Sequence, residues 1–345
     1  MGAGKGRGRG RIRNRNCIAL WIGTDVGGRL YASNTGKDSM TEPLVYLNGQ
    51  MVSASEAHVA IYDMGVVLGA TVTEMTRTFR QRLYRLEDHL DRLFRSLRYV
   101  RMDTGLTKEA LTSISRELVD HNVRLLDKGG ELGLIHFVTA GELALYAGSA
   151  GNPGPPQPTV CAHTFQLPFE IWVNNMREGM HVVTPSIRHV PPQCYDPKMK
   201  YRSRMHYYLA DQEVKLVDPN ATALLLDLNG NVTETGAANF LLVDRGTIVS
   251  PTLNNILPGV SRKTVIELAA KLGIPFVERD SQVYSVMNAD EAFLASTPFC
   301  LMPVTKVNGV EIADGKPGPL FQRLIEAWSQ KVGLNVLGQI VGAQA

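Results

Sequence analysis

The chain has 345 residues, of which 44% are hydrophobic and 20% charged, a composition typical of a soluble protein with about two domains. It contains no apolar run of the roughly 18 residues that a membrane-spanning helix needs. The four cysteines are too widely spaced for a CxxC pair and read as free thiols of a cytoplasmic protein.

The positive charge is concentrated at the start of the chain. Residues 1–15 hold six basic residues and no acidic one, so that without them the net charge of +3 becomes −3 for the remainder. This remainder gives no electrostatic reason to expect nucleic-acid binding. Residues 1–39 are rich in Gly and Arg and are predicted to be disordered. They are either an RNA-binding tail or, as we favour, a dispensable extension before a natural start at Met40.

The first folded region is predicted to be a small α+β domain over residues 40–148. Residues 44–47 and 50–52 flank Asn48-Gly49, the signature of a β-hairpin. A second strand pair is expected at 71–79 and 82–86, and a strand at 131–139. A helix over about 87–102 carries a leucine stripe, and Thr107 is a candidate cap for another helix. Arg92 lies off the leucine stripe, which argues against a place in the core.

A Pro- and Gly-rich stretch at residues 149–157 is predicted to be an interdomain linker. It is followed by a larger domain over residues 158–338. This second region alternates hairpin patterns around residues 229–231 and 244–246 with helices near 203–216 and 261–272. Hairpins mixed with helices favour an α+β fold over a doubly wound sheet.

Three segments carry residues suited to cofactor chemistry. Gly259 and Ser261 open a predicted helix whose N-terminus could bind a phosphate, although an ordinary Ser N-cap would look the same. Glu234 precedes a run of small residues and could hold a protonated ring nitrogen, or it is a surface residue at a turn. Lys200 lies among other cations that would favour its neutral amine, unless the segment is a solvated basic loop.

Taken together, the order and spacing of these segments resemble the class IV (fold-type IV) aminotransferases over residues 43–335. Asp63-Met64-Gly65 and Gly69 match the family's Asp-Arg-Gly-x-x-x-Gly motif, and His89 to Leu93 matches its phosphate-binding arginine segment. The stretches 232–240, 257–262 and 291–297 match its remaining cofactor motifs. The resemblance implies a two-domain α+β fold, with a small α/β domain and a larger pseudo-barrel domain, and a pyridoxal 5′-phosphate (PLP) cofactor. The implied cofactor-binding residues are Arg92, Glu234, Val260, Ser261, Ser296 and Thr297.

Two lysines compete for the role of Schiff-base lysine. In D-amino acid aminotransferases this lysine lies ten residues before an alanine of the following helix. The alanine that matches it here is Ala210, which points to Lys200. Lys198 would require a gap of two residues.

The substrate side departs from the family pattern. Thr73 stands where D-amino acid aminotransferases have an active-site tyrosine, and Ala140 replaces a familiar arginine. Thr73, Arg77 and His136 are therefore the candidate substrate residues. Arg188, Arg202 and Arg204 are further candidates for a carboxylate clamp, with a solvated-surface role as the alternative for each.

The resemblance implies a ping-pong aminotransferase that acts on an amino donor and a keto acceptor and resembles branched-chain and D-amino acid aminotransferases. It also implies a homodimer. The alternatives are a PLP-dependent lyase resembling aminodeoxychorismate lyase, and a non-catalytic protein of the PLP fold. No metal site is predicted.

Overall fold

The computed structural model describes residues 42–148 and 157–342. The predicted tail at 1–39 and all but the last residue of the predicted linker at 149–157 lie outside these residues. Within them, the fold contains two β-sheets with helices packed against each, in agreement with the predicted α+β class.

The first sheet has six strands in the order β2-β1-β6-β5-β3-β4, and each neighbouring pair is antiparallel. The strands are β1 Leu44–Leu47, β2 Gln50–Ser53, β3 Thr71–Phe79, β4 Arg82–Tyr84, β5 Leu132–Thr139 and β6 Val160–Gln166. Asn48 and Gly49 both have positive φ, as the predicted hairpin turn requires.

Strand β6 corrects the predicted domain boundary. It pairs with both β1 and β5, so the segment at 149–157 connects two strands of one sheet. The chain leaves the first sheet after Gln166. The Pro- and Gly-rich composition identified a loop correctly, but composition carries no information about which sheet the next strand joins.

The second sheet closes on itself. Its strands are β7 Met180–Val183, β8 Thr222–Leu226, β9 Val232–Thr235, β10 Asn239–Asp244, β11 Thr247–Ser250, β12 Phe276–Glu278, β13 Glu291–Ser296, β14 Cys300–Val307 and β15 Val310–Glu311. The order is β12-β11-β10-β13-β14-β7-β8-β9, and β9 also pairs with β10 through Glu234 and Asn239. Six strands therefore form a ring, which is the pseudo-barrel that the family resemblance implied.

The helices pack in two groups around these sheets. They are α1 Met64–Val67, α2 Leu86–Val100, α3 Lys108–Asn122, α4 Ala144–Ala147, α5 Val173–Glu178, α6 Met205–Val214, α7 Val260–Lys271, α8 Val283–Met287, α9 Pro319–Val332 and α10 Val336–Val341. The leucine stripe of α2 is buried against the first sheet, and Thr107 caps α3 by accepting from the Ala110 N–H at 3.1 Å. Helices α7 and α9 cover the barrel. None of the described helices is long and apolar enough to cross a bilayer.

Candidate active site

Lys200 lies in an extended segment that pairs with the first residues of β3. Tyr201 forms an antiparallel bridge with Val72, and the Thr73 N–H donates to the Lys200 carbonyl at 2.9 Å. The Lys200 N–H donates to Ser96 Oγ of α2 at 3.3 Å. The backbone of this lysine is thus held between strand β3 and helix α2.

The surroundings of Lys200 favour its neutral amine. Burial lowers the pKa of the Lys200 ammonium to about 7, and the positive charges of Arg204 and Arg92 act in the same direction, while Glu74 and Glu234 oppose the shift. At neutral pH a large fraction of this amine is therefore unprotonated and able to attack a carbonyl carbon.

Lys198 has a different environment. Its side chain is 47% exposed, and its Nζ lies 3.5 Å from the Asp196 carboxylate. The solvated-loop alternative therefore describes Lys198, the competing lysine, and does not describe the buried Lys200.

Glu234 is buried on β9, at the seam of the barrel. Its Oε1 accepts from the Leu257 N–H at 3.1 Å, and its Oε2 accepts from Asn239 Nδ2 at 2.8 Å. Burial raises the pKa of the Glu234 carboxyl to about 7, against the opposing effects of the Leu257 hydrogen bond and of Arg204 and Lys200. A carboxylate has about four acceptor positions, and the two hydrogen bonds leave capacity for a further donor.

A polar pair supports Glu234 from the side of α6. His189 Nε2 lies 3.9 Å from Glu234 Oε1 and 3.0 Å from the Tyr207 hydroxyl. His189 and Tyr207 are both buried, so they form a polar wall beside the Glu234 carboxylate.

The N-terminus of α7 opens beside this carboxylate. The N-cap is Gly259, without a side-chain hydrogen bond, so the Ser N-cap alternative for Ser261 is wrong. The first N–H groups of a helix have no intrahelical acceptors and carry the positive end of its dipole. A Cβ atom at Gly259 would lie 2.0 Å from Asn239 Oδ1, so glycine is required for Asn239 to reach Glu234. Val260 and Ser261 follow in the first turn.

Ser296 and Thr297 lie where β13 ends. Ser296 Oγ donates to the Ala237 carbonyl at 2.6 Å, which ties this strand end to the small-residue run after Glu234. Thr297 is partly buried and begins the turn into β14.

Arg92 is buried, so the expectation that it lies outside the core is wrong. Its Nε and Nη2 donate to the two oxygens of Glu74 at 2.8 and 2.6 Å, and its Nη1 donates to the Pro258 carbonyl at 2.9 Å. His89, Arg92 and Ser96 form a second buried row on α2, which is polar and lies beside the leucines. Three of the five guanidinium N–H groups are used, which leaves two beside the Gly259 cap.

Glu74 is a site residue that the sequence analysis missed. It is fully buried on β3, and Arg92 and His89 hold the pKa of its carboxyl well below the usual range, although burial alone would raise it. His89 Nδ1 lies 3.0 Å from Glu74 Oε1. The signal available in the sequence was a lone acid in the middle of a predicted strand whose only other charged residue is Arg77.

The three candidate substrate residues have different positions. Thr73 lies next to Lys200, and its hydroxyl donates to the His136 carbonyl at 2.9 Å. His136 pairs with Glu74 across the strands, so its side chain points to the helix side of the sheet, where Nε2 lies 2.8 Å from Ser115 Oγ. Burial lowers the pKa of His136 to about 4. The residue that faces the same side as Thr73 is Phe137.

Arg77 is not brought to Lys200. It lies four residues beyond Thr73 on β3, which is about 13 Å along an extended strand. Its guanidinium donates to the Pro298 carbonyl and to Gln339 Oε1 at 2.7 and 3.0 Å and stacks 4.0 Å from the Phe79 ring. These contacts make Arg77 a buried structural residue.

The described residues contain no cluster of His, Cys, Asp or Glu side chains that could hold a metal ion. The site combines Lys200 with its lowered pKa, the buried Glu234 carboxylate and the N-terminus of α7.

Comparison with known proteins identifies the family of the chain. The model of the class IV amino-transferase family matches residues 71–307. A putative branched-chain-amino-acid aminotransferase of Methanocaldococcus jannaschii is 28% identical over 296 residues, covering 85% of this chain and 98% of that protein. A D-alanine aminotransferase of Staphylococcus aureus is 30% identical over 292 residues, covering 84% and 97%.

Solved structures share the fold of this chain. The branched-chain amino acid aminotransferase of Escherichia coli superposes with a TM-score of 0.76 at 22% identity, covering 84% of this chain and 94% of that chain. The T.th. branched-chain amino acid aminotransferase, solved with pyridoxamine 5′-phosphate, has a TM-score of 0.75 at 25% identity, covering 84% and 94%. With the family model matching most of the chain and relatives aligned along nearly their whole length, the chain belongs to the class IV aminotransferase family and is a fold-type IV transaminase.

Proposed function

We propose that this transaminase uses pyridoxal 5′-phosphate and exchanges an amino group between an amino acid and a 2-oxo acid by a ping-pong mechanism, with Lys200 as the Schiff-base lysine. The observation that carries the proposal is the pKa of Lys200, lowered to about 7 at a site that also holds Glu234. Lys198 is solvated and paired, which supports Lys200 over its competitor.

The residues at the site fit this cofactor. Its phosphate requires several hydrogen-bond donors. The α7 N-terminus with Val260 and Ser261, the two remaining N–H groups of Arg92 and the Thr297 hydroxyl would supply them, and the Ser296 hydroxyl would join them by turning from the Ala237 carbonyl. Its pyridine nitrogen requires an acid in a buried position, which Glu234 would provide with its remaining acceptor capacity.

The bound cofactor would supply the electron sink for the carbanion that forms at the substrate Cα. The chain's own residues would control the protons. Once displaced from the cofactor, the Lys200 amine would take the proton from the substrate Cα and deliver it to the C4′ carbon of the cofactor. Glu234 would hold the proton of the ring nitrogen, and Asn239 and Leu257 would keep its carboxylate in place.

We further propose that the enzyme is a homodimer that buries one apolar patch. Helices α1, α4 and α6 lie together, since the Leu143 N–H donates to the Tyr62 carbonyl and Ser203 Oγ donates to the Gly69 carbonyl. Their exposed apolar side chains, each 46–84% exposed, are Ile61, Val66, Leu68, Leu145, Tyr146, Met205, Tyr208 and Leu209. A patch of this kind is costly to leave in water. Light scattering should give twice the chain mass, and Leu145→Asp should give a monomer.

Cytoplasmic residence remains our proposal on cysteine usage. The described cysteines Cys161, Cys194 and Cys300 are free thiols, as expected in a reducing compartment.

The absorption spectrum of the purified enzyme tests the cofactor assignment. Protein reconstituted with PLP should show a visible band that is lost on borohydride treatment, with the label on the peptide that contains Lys200. Lys200→Ala should lose the trapped label, while Lys198→Ala is the matched control and should keep it. A label that follows Lys198, or no bound PLP, would overturn the proposal.

Turnover with an acceptor separates the alternatives. A transaminase requires a 2-oxo acid such as 2-oxoglutarate or pyruvate for multiple turnovers, whereas a lyase turns over without one. A protein that binds PLP and converts no amino compound would be the non-catalytic alternative.

A further inference from the structure

Arg202 follows Lys200 by two residues in the same extended segment. The Arg202 N–H donates to the Thr71 carbonyl at 3.1 Å, as the Thr73 N–H does to Lys200. Side chains two residues apart on an extended backbone leave it on the same side. Lys200, Arg202 and Thr73 therefore lie on the same side of this pair of strands. Lys200 and Arg202 are about 7 Å apart along the segment.

The guanidinium of Arg202 is oriented through only one of its edges. Its Nε donates to Thr73 Oγ1 at 3.2 Å, and its Cζ lies 5.3 Å from the centre of the Phe137 ring. The Thr73 hydroxyl gives its own proton to the His136 carbonyl, so its oxygen is free to accept from Arg202. Thr73 and Phe137 thus hold the guanidinium, while Nη1 and Nη2 make no hydrogen bond to a described residue.

No carboxylate of residues 42–148 or 157–342 forms an ion pair with Arg202. The acidic group that acts on the pKa of Arg202 is the Cys161 thiol. Burial raises the pKa of this thiol to about 12, so it stays neutral at pH 7. Arg204 adds a second positive charge near Arg202. Arg202 is an exposed residue, although partial burial of its guanidinium lowers its pKa, and no carboxylate of the described part of the chain balances its charge.

The other arginines near this region have protein partners. Arg92 is paired with Glu74, and Arg262 with Glu278 and Ser250. Arg77 donates to backbone and amide oxygens. Arg202 differs from these because its guanidinium is held at Nε by Thr73 and beside Phe137, while its two terminal nitrogens have no carboxylate among the described residues. Such an arrangement suits the binding of a carboxylate.

We infer that Arg202 binds the α-carboxylate of the substrate through two parallel N–H···O bonds, with Thr73 and Phe137 setting the plane of its guanidinium. The inference rests on the proposed function, because it places the substrate at Lys200. The substrate class is then α-amino acids and 2-oxo acids, and amines without a carboxylate are poor substrates.

Arg202→Gln removes both the positive charge and the pair of parallel N–H donors. Arg202→Lys keeps the charge but lacks the paired donors. With the PLP-loaded enzyme, kcat/KM for the preferred enantiomer of alanine should fall about thirtyfold or more in Arg202→Gln, mainly through KM. For ethylamine, which lacks the carboxylate, it should change less than about threefold. Arg202→Lys should recover only part of the loss. Arg95→Gln, an exposed arginine on α2, is the matched control and should behave as wild type.

Binding of propanoate provides a readout without turnover. Calorimetric titration of the loaded enzyme should show about thirtyfold weaker binding in Arg202→Gln and none of this loss in the control. Retention of borohydride-trapped PLP and an unchanged Tm show that the variant is folded and loaded. Equal propanoate affinity in Arg202→Gln and wild type overturns the inference alone. Absence of PLP from the wild type overturns the proposed function and this inference with it.

Discussion

The pKa of Lys200 gives the most direct test of the site without any substrate. At pH 7 a lysine with a pKa of about 7 is about half neutral, whereas one with the ordinary value of 10.5 is neutral in about three molecules in ten thousand. The population of reactive amine at Lys200 is therefore larger by a factor of about 1,500. Burial is the main cause, and Arg204 is the largest contribution from a neighbouring charge.

Acetylation of the cofactor-free protein at a series of pH values measures this difference. Trace acetic anhydride followed by peptide mass spectrometry should give a midpoint near pH 7 at Lys200. The internal control is Lys198, which is solvated and should label with a much higher midpoint. In Arg204→Gln the midpoint at Lys200 should rise, because a repelling positive charge is removed. Equal midpoints at the two lysines would refute the electrostatic account of the site.

The same shift has a consequence for stability. Because the folded-state pKa lies below the unfolded value, the unfolded chain binds more protons between about pH 7 and pH 10.5. This lysine therefore makes the cofactor-free protein more stable as the pH rises through that range, and Lys200→Met should remove this component.

Three further variants test the surroundings of the site. Glu74→Gln leaves Arg92 buried without its partner, so urea unfolding at pH 7 should show a loss of about 3–5 kcal/mol, and a loss below about 1 kcal/mol would contradict the ion pair. Because the pKa of Glu74 is depressed, the wild type should lose this stabilisation as the pH falls below about 4.5, and the variant should not. Gly259→Ala places a methyl group against Asn239, so the Kd for PLP in an absorbance titration should rise about tenfold, and an unchanged Kd would count against the α7 phosphate site. Glu234→Gln should retain PLP but slow the amino-acid half-reaction by about a hundredfold in stopped-flow absorbance, a result that a change of less than about threefold would refute.

The fold was largely predictable because its signals are local. The Asn48-Gly49 turn, the leucines of α2 and the Thr107 cap each depend on residues close in sequence, and each was confirmed. The membership of β6 in the first sheet was not predictable in this way, because strand pairing is decided by contacts between distant segments.

The site shows the same division. Lys200, Glu234 and the α7 segment follow from motif spacing, whereas the substrate side depends on which face of β3 and β5 each side chain occupies. A shift of one residue exchanges the faces, and for this reason His136 was chosen where Phe137 faces Thr73. The partner of Arg92 was missed because Glu74 is 18 residues away on another element.

The closing pair of the barrel, Glu234 with Asn239, is also part of the candidate cofactor site. Cofactor occupancy and closure of the strand ring are therefore thermodynamically linked: PLP at a hundred times its Kd would add about 2.7 kcal/mol to closure. Amide hydrogens along β9 and β10 should exchange more slowly as PLP is added, and protein stripped of PLP should be cleaved by protease first at this seam. The lifetime of the enzyme is then governed by the supply of its cofactor as well as by its sequence.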